Sequence, residues 1–281
     1  MERDFTQQVV VKDLRQYSQV YLVPLADLHI GCRDVALDVV QGYLDWIKEH
    51  ENAYTILNGD LMNCATKDST PELYDDLVTP DHAYSQLKAL LETIKSKILM
   101  ITRGGHEEHI YRLSGHDYMA QLAYDLGDIP YKPDGGMVAM RLGSSTLNFD
   151  RPNKRNGGGT QVCVIYAVHG WGGARTIGAK ANKVEELTKI AEADCYILSH
   201  DHTQVVHRLN VLAASMRTQY PFIKNKRRLL INTGGFIRYS GYIQRKGYIP
   251  QDLGTPRIRI EAKERYEGKC GEYYLDLHAS I

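Results

Sequence analysis

The chain has 281 residues, of which 43% are hydrophobic and 24% are charged, and these values exclude a natively disordered protein. The length is enough for one large domain or two small ones with a substantial buried core. Lys plus Arg and Asp plus Glu both number 34, so the net charge argues for no particular partner and local charge clusters have to be considered instead.

The five cysteines are widely spread and form no Cys-x-x-Cys pair. This spacing excludes a disulfide framework and a zinc ribbon, and it indicates a reducing compartment. The N-terminus has no apolar run typical of a signal peptide, and no segment has about 18 uninterrupted apolar residues. We therefore expect a cytoplasmic protein with no membrane partner.

The first half alternates predicted strands with predicted helices. Short apolar runs predict buried strands at residues 20–25, 54–57 and 98–102. Helical spacing predicts a helix over residues 35–50 capped by Asp34, a second helix capped by Asp81, and a third that contains Tyr118 and Leu122. Strand–helix–strand order predicts parallel strands joined by right-handed crossovers.

The second half is predicted mainly as strands separated by turn-rich loops. Its predicted strands are residues 137–142, 146–149, 162–168, 195–198, 203–209, 229–232 and 273–277. One more helix is predicted over residues 179–193, and residues 153–160 are predicted to form a flexible loop. This order fits one domain over residues 1–281, an α/β fold with two sheets packed face to face and helices outside.

Side chains that bind metals follow five of the predicted strands, at the point where each strand ends. They are Asp27 and His29, Asp60, His106 and Glu107, His169, and His200 and His202. Each alone has an ordinary explanation as a turn aspartate or a hydrogen-bonded core histidine. Because open α/β sheets bind ligands at the carboxyl ends of their strands, the combination predicts a metal site. Mixed imidazole and carboxylate ligands suit Mn, Fe, Zn, Co or Ni better than Ca or Mg.

The order, spacing and strand context of these motifs resemble the calcineurin-like metallophosphoesterases, from Asp27 to His202. The resemblance implies two mixed β-sheets packed as a sandwich, with helices on the outer faces. It also implies two divalent transition metal ions, with Mn as our first choice. The implied ligands are Asp27, His29 and His202 for one ion, His169 and His200 for the second, and Asp60 as the bridge between them.

The third motif departs from the family pattern at one position. Where the family has Gly-Asn-His-Glu, this chain has Gly104, Gly105, His106 and Glu107. His106 stands where the family's histidine assists the leaving group, and Gly105 stands where its metal-binding asparagine would be. Because glycine has no side-chain oxygen, we expect weaker occupancy of the second metal site and lower turnover. The change is either natural or an engineered inactivating substitution.

A second departure is milder. Asn63 lies three residues after Asp60, where relatives often carry an Asp or His that pairs with the catalytic histidine. We expect Asn63 to hydrogen-bond His106 without stabilising its charged form.

The implied reaction is hydrolysis of a phosphate ester by a hydroxide that bridges the two metals, with His106 assisting departure of the alcohol. Glu107 is expected to orient the site. Arg103, Arg175 and Lys180 are candidate substrate-binding residues, and the last two lie in a glycine-rich stretch, residues 171–183, that resembles phage-encoded family members. A solvated loop is the equal alternative for this stretch.

Two basic runs, residues 151–155 and 224–228, favour phosphodiesters such as nucleic acid or nucleotides, so a phosphodiesterase or nuclease is predicted. The 19 tyrosines offer stacking surfaces for bases. Two alternatives stay open: a phosphomonoesterase for phosphoproteins or small molecules, and a catalytically disabled protein that binds metal or nucleic acid. The oligomeric state is not predicted.

Overall fold

The computed structural model describes residues 9–66, 76–143, 160–215, 222–245, 247–267 and 270–281. Its strands are β1 (Val10–Leu14), β2 (Gln19–Leu22), β3 (Ala53–Asn58), β4 (Ile98–Thr102), β5 (Gly136–Leu142), β6 (Gln161–Val168), β7 (Cys195–Leu198), β8 (Val205–Ser215), β9 (Phe222–Asn232), β10 (Arg257–Glu267) and β11 (Cys270–Ser280). Its α-helices are α1 (Leu37–Glu49), α2 (Pro80–Glu92), α3 (Gly105–Ser114), α4 (Tyr118–Asp125), α5 (Ile177–Ile190) and α6 (Gly241–Arg245).

The strands form two mixed sheets. One has six strands in the order β1-β5-β6-β7-β9-β8, and the other has five in the order β11-β10-β2-β3-β4. Strands β2, β3 and β4 pair in parallel, as the strand–helix–strand order predicts. The β5-β6, β8-β9 and β10-β11 pairs are antiparallel.

The two sheets pack face to face, and helices cover their outer faces. The core between the sheets takes apolar side chains from both, among them Leu22, Ile56, Ile165, Ile197 and Ile258. A second cluster lies between the five-stranded sheet and helices α1 to α4, and a third lies between the six-stranded sheet and α5. The predicted α/β sandwich with outer helices is confirmed.

Both predicted helix caps were wrong. Helix α1 begins after Ala36 without a side-chain cap, and the backbone oxygen of Asp34 instead accepts a hydrogen bond from Arg238. Helix α2 begins at Pro80 and is capped by the Thr79 hydroxyl. Asp81 lies in its first turn, where a negative charge suits the helix dipole.

Strands β1 and β10 were missed, and β8 and β9 are longer than predicted. The predicted strand at residues 146–149, the loop at residues 153–159 and the basic run at residues 151–155 lie outside the described residues. Among the helices that are described, none combines the length and the apolar character needed to cross a bilayer.

Candidate metal centre

The predicted ligands meet at one end of the sandwich, between the two sheets. The loops after β2, β3 and β4 come from one sheet, and those after β6 and β7 come from the other. Three groups of ligand atoms form, each with all its atoms within 4.8 Å of one another. These groups are Asp27, His29 and His202; Asp60, His169 and His200; and His29, Asp60 and His106. The first two groups match the two ligand sets that the resemblance implies.

The first group has the spacing of a metal site. His202 Nε2 lies 3.3 Å from His29 Nε2 and 3.4 Å from Asp27 Oδ1, and the last two atoms are 4.0 Å apart. Two of these three distances match the roughly 3.3–3.6 Å between ligands bound tetrahedrally at about 2.0–2.2 Å from zinc, and the third is longer. Asp27 Oδ1 is also buried without a hydrogen-bond partner among the described residues. These donors therefore fit a transition metal ion.

The second group also contains an unpartnered buried atom. His169 Nε2 makes no hydrogen bond within the described structure, although Asp60 Oδ2 is 3.1 Å away. The His169 and His200 rings lie with their centroids 5.3 Å apart. A buried polar atom without a partner costs about 1–3 kcal/mol, so an ion beside it would remove a real penalty.

Hydrogen bonds behind the rings determine which nitrogen faces the centre. His29 Nδ1 lies 3.2 Å from the Asn63 side-chain oxygen, and His169 Nδ1 lies 2.8 Å from the backbone oxygen of Asn58. Because these oxygens only accept, both Nδ1 atoms carry the hydrogen. The Nε2 lone pairs are left for a metal, an arrangement common to metal-binding histidines.

The backbone at these ligands is strained. Seven non-glycine residues of the described chain have positive φ. Five of them are predicted ligands: Asp27 (52°), His29 (48°), Asp60 (48°), His200 (75°) and His202 (50°). Left-handed backbone costs about 1–2 kcal/mol for each non-glycine residue, and such strain collects at functional sites. Both residues of the Asp27–His29 pair and of the His200–His202 pair lie in such left-handed backbone.

Burial also sets the charge of the ligands. It lowers the pKa of His202 to about 3 and that of His29 well below its usual value, so both rings are neutral. Burial raises the pKa of Asp27 to about 8. Burial alone would lower the pKa of His169, but the Asp60 carboxylate beside it prevails and raises that pKa to about 10. His29 and His202 are therefore neutral donors, whereas Asp60 keeps a proton on His169 that a bound metal would displace.

Glu107 joins the second and third motifs. Its buried carboxylate accepts hydrogen bonds from the backbone N–H groups of Asp60, Met62 and Gly104, at 3.0, 2.9 and 2.9 Å. It therefore fixes the loop that carries Asp60, which fits the orienting role expected for it.

His106 is held by two contacts at the start of α3. Its backbone N–H donates to Asp60 Oδ1 at 2.9 Å, and its Nδ1 lies 2.5 Å from the backbone oxygen of Asn63. The expected contact with Asn63 thus uses the backbone carbonyl. The Asn63 side chain instead bridges His29 and Asp76, a residue that the sequence analysis missed.

Gly105 lies where an added side chain has room. A Cβ at this position would have one neighbour within 4 Å, Asp60 Oδ1 at 4.0 Å. At Gly104, in contrast, a Cβ would lie 2.1 Å from the Asp60 backbone nitrogen. Position 104 therefore requires glycine for close packing, whereas position 105 has room for a Cβ near the Asp60 carboxylate.

Two of the three predicted substrate contacts are engaged elsewhere. The Arg103 guanidinium forms ion pairs with Glu108 at 2.5 Å and with Asp117 at 2.8 Å. The buried Lys180 ammonium donates to the Asp201 backbone oxygen at 2.9 Å and to the Thr203 hydroxyl at 2.5 Å. These contacts give both residues structural roles.

Arg175, the third predicted contact, is exposed and lies close to the segment that carries Tyr248. Tyr248 was not predicted, and its ring stacks on His202 with centroids 5.7 Å apart. No motif identifies it in the sequence.

The basic run at residues 224–228 is largely paired with acidic side chains. Lys226 lies 3.2 Å from Asp194, and Arg227 lies 3.4 Å from Asp276. Arg228 lies 3.8 Å from Glu192. This run therefore gives little support to a nucleic-acid contact.

Comparisons with known proteins found no matching family model and no matching curated sequence. Among solved structures, the chain is similar to a conserved uncharacterized protein of Streptococcus pneumoniae TIGR4, described as a predicted phosphoesterase, at 12% identity and a TM-score of 0.33, over 92% of this chain and 98% of that one. It is also similar to a metallophosphoesterase of Sphaerobacter thermophilus at 12% identity and a TM-score of 0.36, over 93% of this chain and 89% of that one. At such low similarity, function has to be inferred from the residues of the site.

Proposed function

We propose that the chain is a metal-dependent phosphoric ester hydrolase. The observation that carries this proposal is the convergence of imidazole nitrogens and carboxylate oxygens in a buried site, where Asp27 Oδ1 and His169 Nε2 have no hydrogen-bond partner among the described residues. Buried polar atoms are normally hydrogen-bonded, so two such atoms without a hydrogen bond among these ligands fit a cation site.

The residues divide into two proposed metal sites. They are Asp27, His29 and His202 at the first, and Asp60, His169 and His200 at the second. We assign Asp60 to the first site as well, because the family resemblance implies a bridging carboxylate. Divalent transition ions bound there, Mn in our proposal, would activate water and neutralise charge on the phosphate.

His106 is the proposed catalytic residue. Its Nδ1 hydrogen donates to the Asn63 backbone oxygen, so proton exchange with the leaving oxygen falls to Nε2. The bond from its backbone N–H to Asp60 Oδ1 holds the start of α3 against the metal-binding loop.

Charge favours phosphodiesters over phosphomonoesters as substrates. A monoester carries up to two negative charges and a diester carries one. Arg103 and Lys180 are engaged internally, so of the three predicted contacts only Arg175 remains as a cation for the phosphate. With less positive charge at the site, the singly charged diester is the better match.

A second candidate function has one observation in its favour. Gly105 supplies no ligand atom, so a metal-binding protein without turnover is the alternative. It predicts that no ester is hydrolysed even when both metal sites are filled.

The test is hydrolysis of bis(p-nitrophenyl) phosphate and p-nitrophenyl phosphate with added Mn²⁺, by the parent chain and by Gly105→Asn. We expect Gly105→Asn to hydrolyse both esters and to favour the diester. If both proteins are inert with Mn, Fe, Zn, Co and Ni, the hydrolase proposal is wrong. A preference for the monoester would instead support the phosphatase alternative.

A further inference from the structure

An open pocket lies directly beside the candidate metal centre and shares a wall with it. His202 forms that wall, and the Gly235 and Ile237 segment contributes to the lining. Tyr239 and Tyr248 also line the pocket, as do the polar residues Gln251 and Asp252.

The pocket is built onto the loops that carry the ligands. The Tyr248 ring stacks on His202 with an angle of 28° between their planes. On the pocket floor, a Cβ at Gly235 would lie 3.0 Å from His202 Nδ1, so glycine allows this close approach. The next residue, Phe236, donates its backbone N–H to the backbone oxygen of Asp27 at 3.1 Å. A group in the pocket would therefore be separated from the first metal site by one imidazole ring.

The lining combines aromatic, aliphatic and polar side chains. The Tyr239 side chain is 46% exposed and Ile249 is 53% exposed, so apolar surface faces solvent at the edge of a buried polar site. Gln251 and Asp252 are exposed at the same rim and offer one hydrogen-bond donor group and several acceptors. A flat ring with a polar edge would match both the apolar lining and the polar rim. A nucleobase is such a ring.

The position of Arg175 fits the same occupant. Its guanidinium lies close to Gly247, since a Cβ there would be 3.4 Å from one terminal nitrogen, and its charge acts on the neighbouring Tyr248. This places a cation near the pocket and the metal centre, where the phosphate of a nucleotide would carry negative charge.

We propose that this pocket binds the base of a nucleoside whose phosphate ester lies at the metal centre. The substrate class is then small nucleoside phosphodiesters. A long nucleic acid is not favoured, because the described basic run at residues 224–228 is paired with acidic side chains. The inference rests on the proposed function for the location of the phosphate, but base binding can be measured without turnover.

The experiment compares the binding of adenosine 5′-monophosphate and ribose 5-phosphate to the Mn²⁺-loaded chain by calorimetry. The two ligands share the phosphate and differ in the base. We expect the adenosine ligand to bind at least about fivefold more tightly, as stacking on an aromatic side chain implies. Tyr248→Ala should abolish that preference, and Tyr248→Phe should keep it because the ring remains. Tyr124→Ala, at a tyrosine that is 72% exposed on α4, is the matched control and should change nothing.

The outcomes separate the pocket from the proposed function. Equal affinity for the two ligands, or no binding of either, overturns the base pocket whatever the hydrolysis assay shows. An unchanged preference in Tyr248→Ala, with metal content and folding intact, also overturns it. If the preference is found but no ester is hydrolysed by the parent chain or by Gly105→Asn, the base pocket stands and the hydrolase proposal fails.

Discussion

Gly105 is the residue on which the predicted activity depends most. The sequence places no metal ligand there, although the structure leaves room for a Cβ 4.0 Å from Asp60 Oδ1. We predict that Gly105→Asn raises metal affinity at the second site and turnover by at least about tenfold, because a carboxamide oxygen joins the ligand set. Metal analysis and bis(p-nitrophenyl) phosphate hydrolysis measure both effects.

The matched control is Gly105→Ala, which adds the Cβ of an asparagine without its carboxamide oxygen. It should behave like the parent chain. If the Asn and Ala variants are indistinguishable in metal content and in rate, position 105 contributes no ligand.

His106 is the second residue with a separable role. We predict that His106→Ala lowers any turnover by roughly 10²–10⁴-fold, the usual contribution of a positioned proton donor. Metal content should change little, because the residues of the two proposed metal sites remain. Activity assays and metal analysis on the same preparation check the prediction, and equal rates for variant and parent would remove His106 from the mechanism.

The convergence of the predicted ligands could be expected from sequence because they follow apolar runs. The residues that hydrogen-bond to these ligands or stack on them could not be predicted from the sequence. Asn58 holds His169 across 111 positions of the chain, and Asp76 contacts His29 through Asn63. Tyr248 stacks on His202 from a segment without a recognisable motif. Such roles arise from tertiary contacts and leave no local pattern.

At the scale of elements, buried strands were the most predictable. Strands β4 and β7 were predicted at their observed bounds, because each is an apolar run with every residue buried. The missed strand β1 alternates half-exposed and exposed residues, and β10 carries charged residues at every second position near its start. Half-exposed strands with charged faces lack the continuous apolar run by which buried strands are predicted from sequence.

Helix α5 supports the metal centre through one buried amine. Lys180 links α5 to the loop that carries His200 and His202. We predict that Lys180→Met destabilises the fold by about 1–3 kcal/mol, because the Asp201 carbonyl and the Thr203 hydroxyl lose a charged partner. Urea unfolding measures the loss, and metal affinity should fall with it.

Lys189→Met is the matched control on the same helix, since Lys189 is exposed. Its effect should stay within about 0.5 kcal/mol. Equal stabilities for the two lysine variants would show that the buried amine does not support the loop.

At the scale of the whole molecule, the site depends on how two sheets meet. Loops from the five-stranded sheet provide Asp27, His29 and Asp60, and loops from the six-stranded sheet provide His169, His200 and His202. The sequence indicates that all these loops follow strands. It does not specify the packing of one sheet on the other, so the distances between the ligand sets could not be predicted.

This arrangement couples metal binding to global stability. A metal at the proposed site would join the two sheets, give the unpartnered buried atoms a partner and bind only the folded chain. We predict that Mn²⁺ at a hundredfold excess over its dissociation constant stabilises the fold by about 2.7 kcal/mol, and that a chelator reverses the effect. Thermal unfolding with and without metal measures it. His202→Ala should respond less, whereas His82→Ala, at an exposed histidine outside the site, should respond like the parent.

The most direct test of the account is anomalous diffraction from crystals grown with Mn²⁺. We predict a peak among Asp27 Oδ1, His29 Nε2 and His202 Nε2, with a second and weaker peak beside Asp60 and His169 that strengthens in Gly105→Asn. The absence of any peak in this region with Mn, Fe, Zn, Co and Ni would contradict the metal centre, and with it the proposed hydrolase.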